Sequence, residues 1–290
     1  MNKKELILNE QNETLVSNFI SYMKRKNMAA NTIEAYEFSL RLYFGLYDNV
    51  TPGNLKLFRS VLMQKFQPAT VNQRIHAVNH FLLFLETYHN QEFPDLTHFR
   101  LKALKLPRNS FQDTIISNED CLKLQACLKQ EKQDFWYFIV RFLVTTGVRV
   151  SELTQIKVEH LSCGYLDLYS KGGKIRRIYI TDALSKEALE WCHSQGKNSG
   201  FLFASKSGLP ITVRGIQYQL KHFALQYDLN PATVYPHSFR HRFAKNFLQR
   251  CGDIALLADL LGHESIETTR IYLTSSSSEQ QLILDEIVTW

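Results

Sequence analysis

No stretch of this 290-residue chain stays apolar for long. The most hydrophobic windows, Phe81–Leu85 and Phe135–Val144, fall far short of the roughly 18–20 residues that a membrane-crossing helix needs. The N-terminal MNKKELILNEQNE lacks the apolar core of a secretory signal. Cysteine is scarce: Cys121, Cys127, Cys163, Cys192 and Cys251 are odd in number and show no CxxC spacing. That argues against a disulfide framework or zinc ribbon and fits a reducing cytoplasm. The GxxxxGK[ST] phosphate loop is also missing. So is a strong charge excess, since 34 Lys and Arg stand against 28 Asp and Glu, net +6.

What is present is enough for packed cores. Hydrophobic residues make up 44% of the chain and aromatics 12%, which excludes wholesale disorder. The length suits two domains of ordinary size. The charge is unevenly placed: residues 1–110 hold 14 Lys and Arg against 9 Asp and Glu, whereas residues 111–290 hold 20 against 19. A basic small domain before a near-neutral larger one points to an acidic partner, nucleic acid being the commonest, or to ordinary solubility charge.

The first ninety residues carry helical periodicity. Leu15, Phe19, Ile20 and Met23 share one face, and Ile33, Tyr36, Leu40 and Phe44 another, behind an Asn31-Thr32-Ile33-Glu34 capping-box pattern. Thr51-Pro52 predicts a capped helix start leading into Leu55, Phe58 and Leu62. Pro68 opens a longer helix with Val71, Ile75, Val78, Leu82 and Leu85 inward. Four such helices with short connections predict a small bundle. Pro94, Pro107, Lys102, Lys105 and Arg108 then predict a basic interdomain linker. Beyond it, Ser117 reads as a cap and Phe135–Thr145 as an apolar helix ending at Gly147. Tyr165–Tyr169 and Arg177–Ile180 alternate around Lys171-Gly172-Gly173-Lys174, which predicts a β-hairpin. Helices dominate afterwards, with caps expected at Asp182, Thr212, Asp253 and Ser265.

Two segments carry chemistry: Thr146-Gly147-Val148-Arg149-Val150-Ser151-Glu152-Leu153, and the run from His237-Ser238-Phe239-Arg240-His241 through Leu261-Gly262-His263 to Ile271-Tyr272. Arg149 and Arg240 are permanently charged forks suited to bidentate phosphate binding. Glu152, three residues after Arg149, can fix its aim. Lys171 on a hairpin turn can bring an ammonium to a leaving group. His263 can donate to a phosphate oxygen. A phenol such as Tyr272 is a weak nucleophile at neutral pH, and flanking arginines would favour its phenolate. Taken singly, each has a plainer reading. Arg149–Glu152 could be a surface ion pair, Tyr272 a packed aromatic, His263 a helix C-terminal partner, and Lys171 and Lys174 edge-strand gatekeepers. His237 and His241 are spaced like metal ligands, but Ser238 stands where the zincin pattern has Glu. The conjunction of Arg, Glu, Lys, His, Arg, His and Tyr in one order is the specific signal.

In that order and local context the chain resembles the tyrosine recombinases, or phage-integrase family, along essentially its whole length, and is similar to the compact Xer-type members. The resemblance implies a mainly α fold with a small β-hairpin in the C-terminal domain. It implies a two-domain DNA clamp: an N-terminal four-helix SAM-like bundle at 1–90, a linker at 91–113, a catalytic domain at 114–274 and a tail helix at 275–290 exchanged between protomers. It implies that Tyr272 attacks the scissile phosphate, that Arg149 and Arg240 clamp it, and that Lys171 protonates the 5′ leaving group. His237 and His263 would assist and Glu152 would support Arg149. No metal or other cofactor is implied. DNA contacts are expected from Arg74, Lys174, Arg176, Arg214, Gln217, Lys221 and Arg242. The expected partner is duplex DNA core sites bound by a homotetramer, with room for a second recombinase or accessory protein and no membrane. The start of the bundle near residue 1 suggests a simple core-site reaction. The chain departs from the Xer pattern at Phe239, Arg242 and Leu273-Thr274, which favours a mobile-element recombinase at least as much as a housekeeping resolvase, and Asn79 stands where the family often has a further Arg, which implies different base contacts. A type IB topoisomerase-like relaxase and a catalytically inactive site-specific DNA-binding protein are the alternatives.

Overall fold

The computed structural model describes residues 8–105, 115–169, 175–205, 207–263, 265–273, 285 and 288. The chain divides into two compact units, Met1–Arg108 and Asn109–Trp290.

In the first unit, α1 (Glu10–Arg25), α2 (Ala30–Phe44), α3 (Pro52–Lys65) and α4 (Pro68–Tyr88) enclose one core. Phe19, Met23, Leu40, Phe58, Leu62, Ile75 and Leu82 are fully buried in it. The periodic residues face inward because each apolar stripe needs a neighbour to cover it. The Thr51 hydroxyl accepts from Asn54 N–H at 3.2 Å and Pro52 sits at the first helical position. Such a cap contributes about 1 kcal/mol. The capping box expected at Asn31 is not formed: α2 starts at Ala30 behind an uncapped Ala29. Asn27, in the left-handed region at φ 53°, turns the chain so sharply out of α1 that Asn31 and Thr32 already lie within the first turn.

The expected linker also needs correction over its first part. Leu96 and Leu101 are buried in the first core, with Phe93, Phe99 and Leu104 packed against it. Two asparagines on α4, two helical turns apart, explain why this segment stays down. Asn79 donates to the Leu101 carbonyl at 2.9 Å and accepts from Leu101 N–H at 2.8 Å. Asn72 does the same with Leu104, at 3.0 and 2.7 Å. Each amide reproduces the donor–acceptor pair of a strand neighbour. Arg108 and the remainder of the linker lie outside the described residues.

The second unit opens with α5 (Asn118–Gln130), whose cap Ser117 accepts from Asp120 N–H at 2.9 Å, and the core helix α6 (Asp134–Thr146). Then come α7 (Val150–Leu153), α8 (Val158–Cys163) and an antiparallel hairpin of β1 (Tyr165–Tyr169) and β2 (Ile175–Tyr179). Leu166 pairs with Ile178 and both are buried, while Arg177 on the outer face holds Asp167 through two contacts of 2.7 Å. The hairpin turn, with Lys171 and Lys174, lies outside the described residues. The remaining elements are α9 (Asp182–Ser194), α10 (Val213–Gln226), α11 (Pro236–Cys251), α12 (Ile254–Leu261), α13 (Ile266–Arg270) and a single 3-10 turn, Ile271–Leu273. Thr212, Asp253 and Ser265 cap as expected, whereas Thr181 rather than Asp182 caps α9.

Helix α11 packs on α6 where Gly147 leaves room for Phe243, and β2 meets α12 where Gly262 leaves room for Arg176. Gly147 ends α6 at φ 61°, and a Cβ there would stand 2.3 Å from the Phe243 ring. Gly262 ends α12 at φ 62°, and a Cβ there would stand 2.2 Å from Arg176 Cδ. All five cysteines are free. Among the described residues no helix is long and apolar enough to cross a membrane. The tail expected at 275–290 lies outside the described residues except for Asp285 and Val288.

Candidate active site

The end of α12 gathers the residues that the sequence scatters. Its last carbonyls have no partner within the helix and carry the negative end of its dipole. Three successive ones each receive an arginine. The Leu260 carbonyl accepts from Arg176 Nη2 at 3.1 Å and Nε at 3.3 Å. The Leu261 carbonyl accepts from Arg240 Nη2 at 2.6 Å. The Gly262 carbonyl accepts from Arg149 Nη2 at 3.4 Å.

Arg240 is the most deeply set, at 2% exposure, and also donates to the Gly147 carbonyl at 2.7 Å. It therefore ties the end of α6 to the end of α12. Burial and the neighbouring Arg149 and Arg176 charges push its pKa down to about 10, which leaves it charged at neutral pH. Arg149 is the N-cap of α7, not a residue within it. Its N–H donates to Glu152 Oε2 at 2.8 Å and its Nη1 to Oε1 at 2.9 Å, so the expected pairing arises from a capping geometry. Its side chain remains 42% exposed. Burial pushes the Glu152 pKa up, but the charge of Arg176 and the hydrogen bonds from Arg149 outweigh it, and the group titrates below the usual carboxylate range. Two guanidinium groups contact one carboxylate and a third lies close by at Arg240, an arrangement that leaves net positive charge for an anion.

Burial and positive neighbours disfavour the charged form of the site histidines. His263 Nε2 lies 3.1 Å from Arg240 Nη2 and its Nδ1 lies 2.7 Å from the Thr269 hydroxyl. Burial and the charges of Arg240, Arg149 and Arg176 push its pKa down to about 4. His237 stands at the start of α11 with its pKa lowered by burial, Arg240 and Arg149. Tyr272, on the 3-10 turn, is 4% exposed and belongs to a small cluster with Ala244, Leu257 and Leu261. Its ring stacks on His263 at 5.9 Å and meets His241 in an edge-to-face contact at 4.8 Å. A cleft of about 1230 Å³ runs from Arg149, Glu152 and His263 along the hairpin. Among the described residues, no three His, Cys, Asp or Glu side chains converge to hold a metal ion.

Arg149, Glu152, Arg240, His263 and Tyr272 therefore lie around one turn, with His237 beside them. Lys171 and Lys174 lie outside the described residues. Two of the residues expected at DNA have partners within the protein. The Arg176 fork is spent on Glu152 and Leu260 with only 11% of the side chain exposed. Arg242 is buried and donates to the Ile116 carbonyl at 2.7 Å, because α11 turns that face toward the start of α5. Arg214, Gln217 and Lys221 are exposed along one face of α10, opposite buried Ile216 and Leu220. In the first unit, Arg74 lies between Phe38 and Phe66, 4.9 and 4.3 Å from their centroids. Sequence reading missed His241 as a neighbour of the tyrosine and Thr269 as the partner of His263. Their spacing, four residues after His237 and three before Tyr272, was the available signal.

The Phage integrase family profile matches residues 115–279. A tyrosine recombinase of Agathobacter rectalis is 26% identical, covering 94% of this chain and 95% of that protein. The tyrosine recombinase XerC of Halalkalibacterium halodurans is 28% identical, with coverages of 90% and 93%. The solved Tn1549 transposon integrase, in complex with circular intermediate DNA, shares the fold at TM-score 0.69 and 16% identity, over 95% of this chain and 99% of that one. The chain belongs to the phage integrase family, the tyrosine recombinases.

Proposed function

We propose that the chain is a site-specific recombinase that cuts and rejoins duplex DNA through a 3′-phosphotyrosyl intermediate. The observation that carries this reading is the convergence of Tyr272, Arg240, His263 and Arg149 on the turn that ends α12, with more positive charge than Glu152 balances. Arg149 and Arg240 bind the non-bridging oxygens and stabilise the charge that builds at phosphorus. The Tyr272 oxygen attacks phosphorus, the P–O5′ bond breaks, and the phenol's proton passes to His237. Lys171 supplies the proton that the departing 5′ oxygen takes up. His237 and His263 position the phosphate, and Glu152 aims Arg149. A 5′ hydroxyl from a partner strand then attacks the phosphotyrosine and frees the phenol. One phosphate ester replaces another, so no nucleotide is consumed.

The wider assembly follows from the same reading. Residues 1–90 form a SAM-like bundle that grips the duplex together with the catalytic domain at 114–274, the two joined through 91–113. Four copies form a synapse that passes through a Holliday junction, and the tail at 275–290 is exchanged between them. A second recombinase or accessory protein can join that assembly, and a DNA substrate places the chain in the cytoplasm. Arg74, with its guanidinium held between two rings, and the Arg214–Gln217–Lys221 face meet DNA.

The test begins by selecting a binding duplex from a randomised pool with the Tyr272→Phe protein. A nicked version of that duplex is then offered to both proteins. Wild type is expected to form a covalent adduct on the 3′ phosphate side and Tyr272→Phe none. An equal adduct yield from both would remove Tyr272 as the nucleophile.

A further inference from the structure

Arg176 has the chemistry of a phosphate ligand and the surroundings of a strut. It occupies the inner face of β2, opposite Leu168 in the register. Its side chain crosses directly over Gly262, where any Cβ would collide with it. Nη1 donates to Glu152 Oε1, the same oxygen that accepts from Arg149 Nη1. Nε and Nη2 both close on the Leu260 carbonyl. A single side chain thus joins the hairpin, the carboxylate that aims Arg149, and the turn that carries His263. Every nitrogen of its fork is engaged inside the protein. A planar guanidinium can serve these partners together because its donors point in fixed directions, which an ammonium cannot match.

We propose that Arg176 is a positioning residue for strand cleavage, acting through Glu152 and the Leu260 carbonyl to hold Arg149 and the His263 turn in one geometry, without touching DNA. The inference rests on the reading of Arg149 as a phosphate ligand. Misplacing a reacting or binding group by about 1 Å costs on the order of 100-fold in rate.

The experiment uses the full-length chain and the selected nicked duplex. Arg176→Lys and Arg176→Ala are compared with wild type for dissociation constant, for its salt dependence, and for single-turnover adduct formation at saturating DNA. Arg176→Lys keeps the charge and guards against a variant that does not fold. Binding and salt slope are expected to stay within about 2-fold of wild type, while adduct formation falls about 100-fold in Arg176→Ala and less in Arg176→Lys. In a Glu152→Gln background, replacing Arg176 is expected to add little, because residues acting through one another are not additive. The acid limb of the cleavage profile should also move to higher pH in Arg176→Ala, since Glu152 loses the charge that holds it ionised. Weaker binding with a salt slope reduced by about 1, and normal cleavage at saturation, would make Arg176 a phosphate contact and overturn the proposal. Independent, multiplying losses from Glu152 and Arg176 would overturn it as well. Arg149→Ala is the control. If that variant cleaves normally, the phosphate-site reading falls together with the inference. If it is inactive while Arg176→Ala cleaves normally, the inference alone falls.

Discussion

The hydrogen bond between Arg240 and His263 has only one possible direction. A guanidinium has donors and no acceptor, so His263 Nε2, 3.1 Å from Arg240 Nη2, must accept. The imidazole proton therefore sits on Nδ1 and is donated to the Thr269 hydroxyl, 2.7 Å away. Thr269 is fully buried, so its hydroxyl is held in place by packing rather than by chance.

This pairing makes Thr269 a control on the tautomer of a site histidine. Thr269→Val keeps the shape and removes the acceptor, leaving a buried N–H without a partner. Loss of such a hydrogen bond costs about 1–3 kcal/mol, shared between stability and the orientation of the ring. Adduct formation at saturating DNA is expected to fall about 10-fold or more, while binding of the same duplex is unchanged. Thr269→Ser should recover most of the rate. Equal activity of the Val and Ser variants in the single-turnover assay would show that the hydroxyl does not set the ring.

A second expectation concerns pH. Both His241 and His263 have pKa values pushed down to about 4, in each case chiefly by burial and then by neighbouring positive groups. The unfolded chain takes up these protons near the ordinary histidine value of about 6.5. Between pH 6.5 and 4 the unfolded state therefore binds more protons than the folded one, and stability is lost as pH falls through that window. His241 is the cleaner probe, because its buried Nδ1 has no hydrogen-bond partner among the described residues. His241→Phe keeps a ring against Tyr272. The loss of stability between pH 7 and pH 5, measured by urea denaturation, should shrink by roughly 1 kcal/mol once partial exposure is allowed for. An unchanged pH dependence would mean that His241 is protonated in the fold near its ordinary value.

The order Arg149, Glu152, Arg240, His263 and Tyr272 was legible because each residue has a local context that can be read along the chain. So were the helices whose apolar positions repeat with a clear period, and the two strands of the hairpin. The burial of Arg176 and Arg242 was not legible, for a physical reason. Charge in a sequence predicts exposure, and both are buried by long-range partners, Leu260 and Ile116, lying 84 and 126 residues away. The packing of residues 93–104 was missed in the same way. Two prolines and several basic residues announced a linker, while the asparagine amides that fasten it, Asn72 and Asn79, sit on another element. Asn79 reads as a departure from the family pattern, but its side chain is occupied in holding Leu101.

The exposed face of α10 gives the last expectation, and it separates DNA recognition from chemistry. Arg214, Gln217 and Lys221 point outward with Tyr218, which is 74% exposed, while Ile216, Leu220 and Phe223 hold the helix to the core. Alanine at any of the three polar positions removes no buried contact, so stability should stay within about 0.5 kcal/mol of wild type. If this face enters the major groove, the variants should differ in kind. Lys221→Ala should weaken binding to all duplexes alike and lower the salt slope by about 1, as the loss of one phosphate contact does. Arg214→Ala or Gln217→Ala should cost about 1–3 kcal/mol on the selected duplex and relax its preference at individual base pairs. Adduct formation at saturating DNA should stay unchanged in all three, since none of them belongs to the turn at the end of α12. Competition binding against single-base variants of the selected duplex measures both effects. If all three proteins keep wild-type affinity and the same base preferences, α10 is not the reading helix, and recognition must be sought on another face of the second unit or on the Arg74 side of the first.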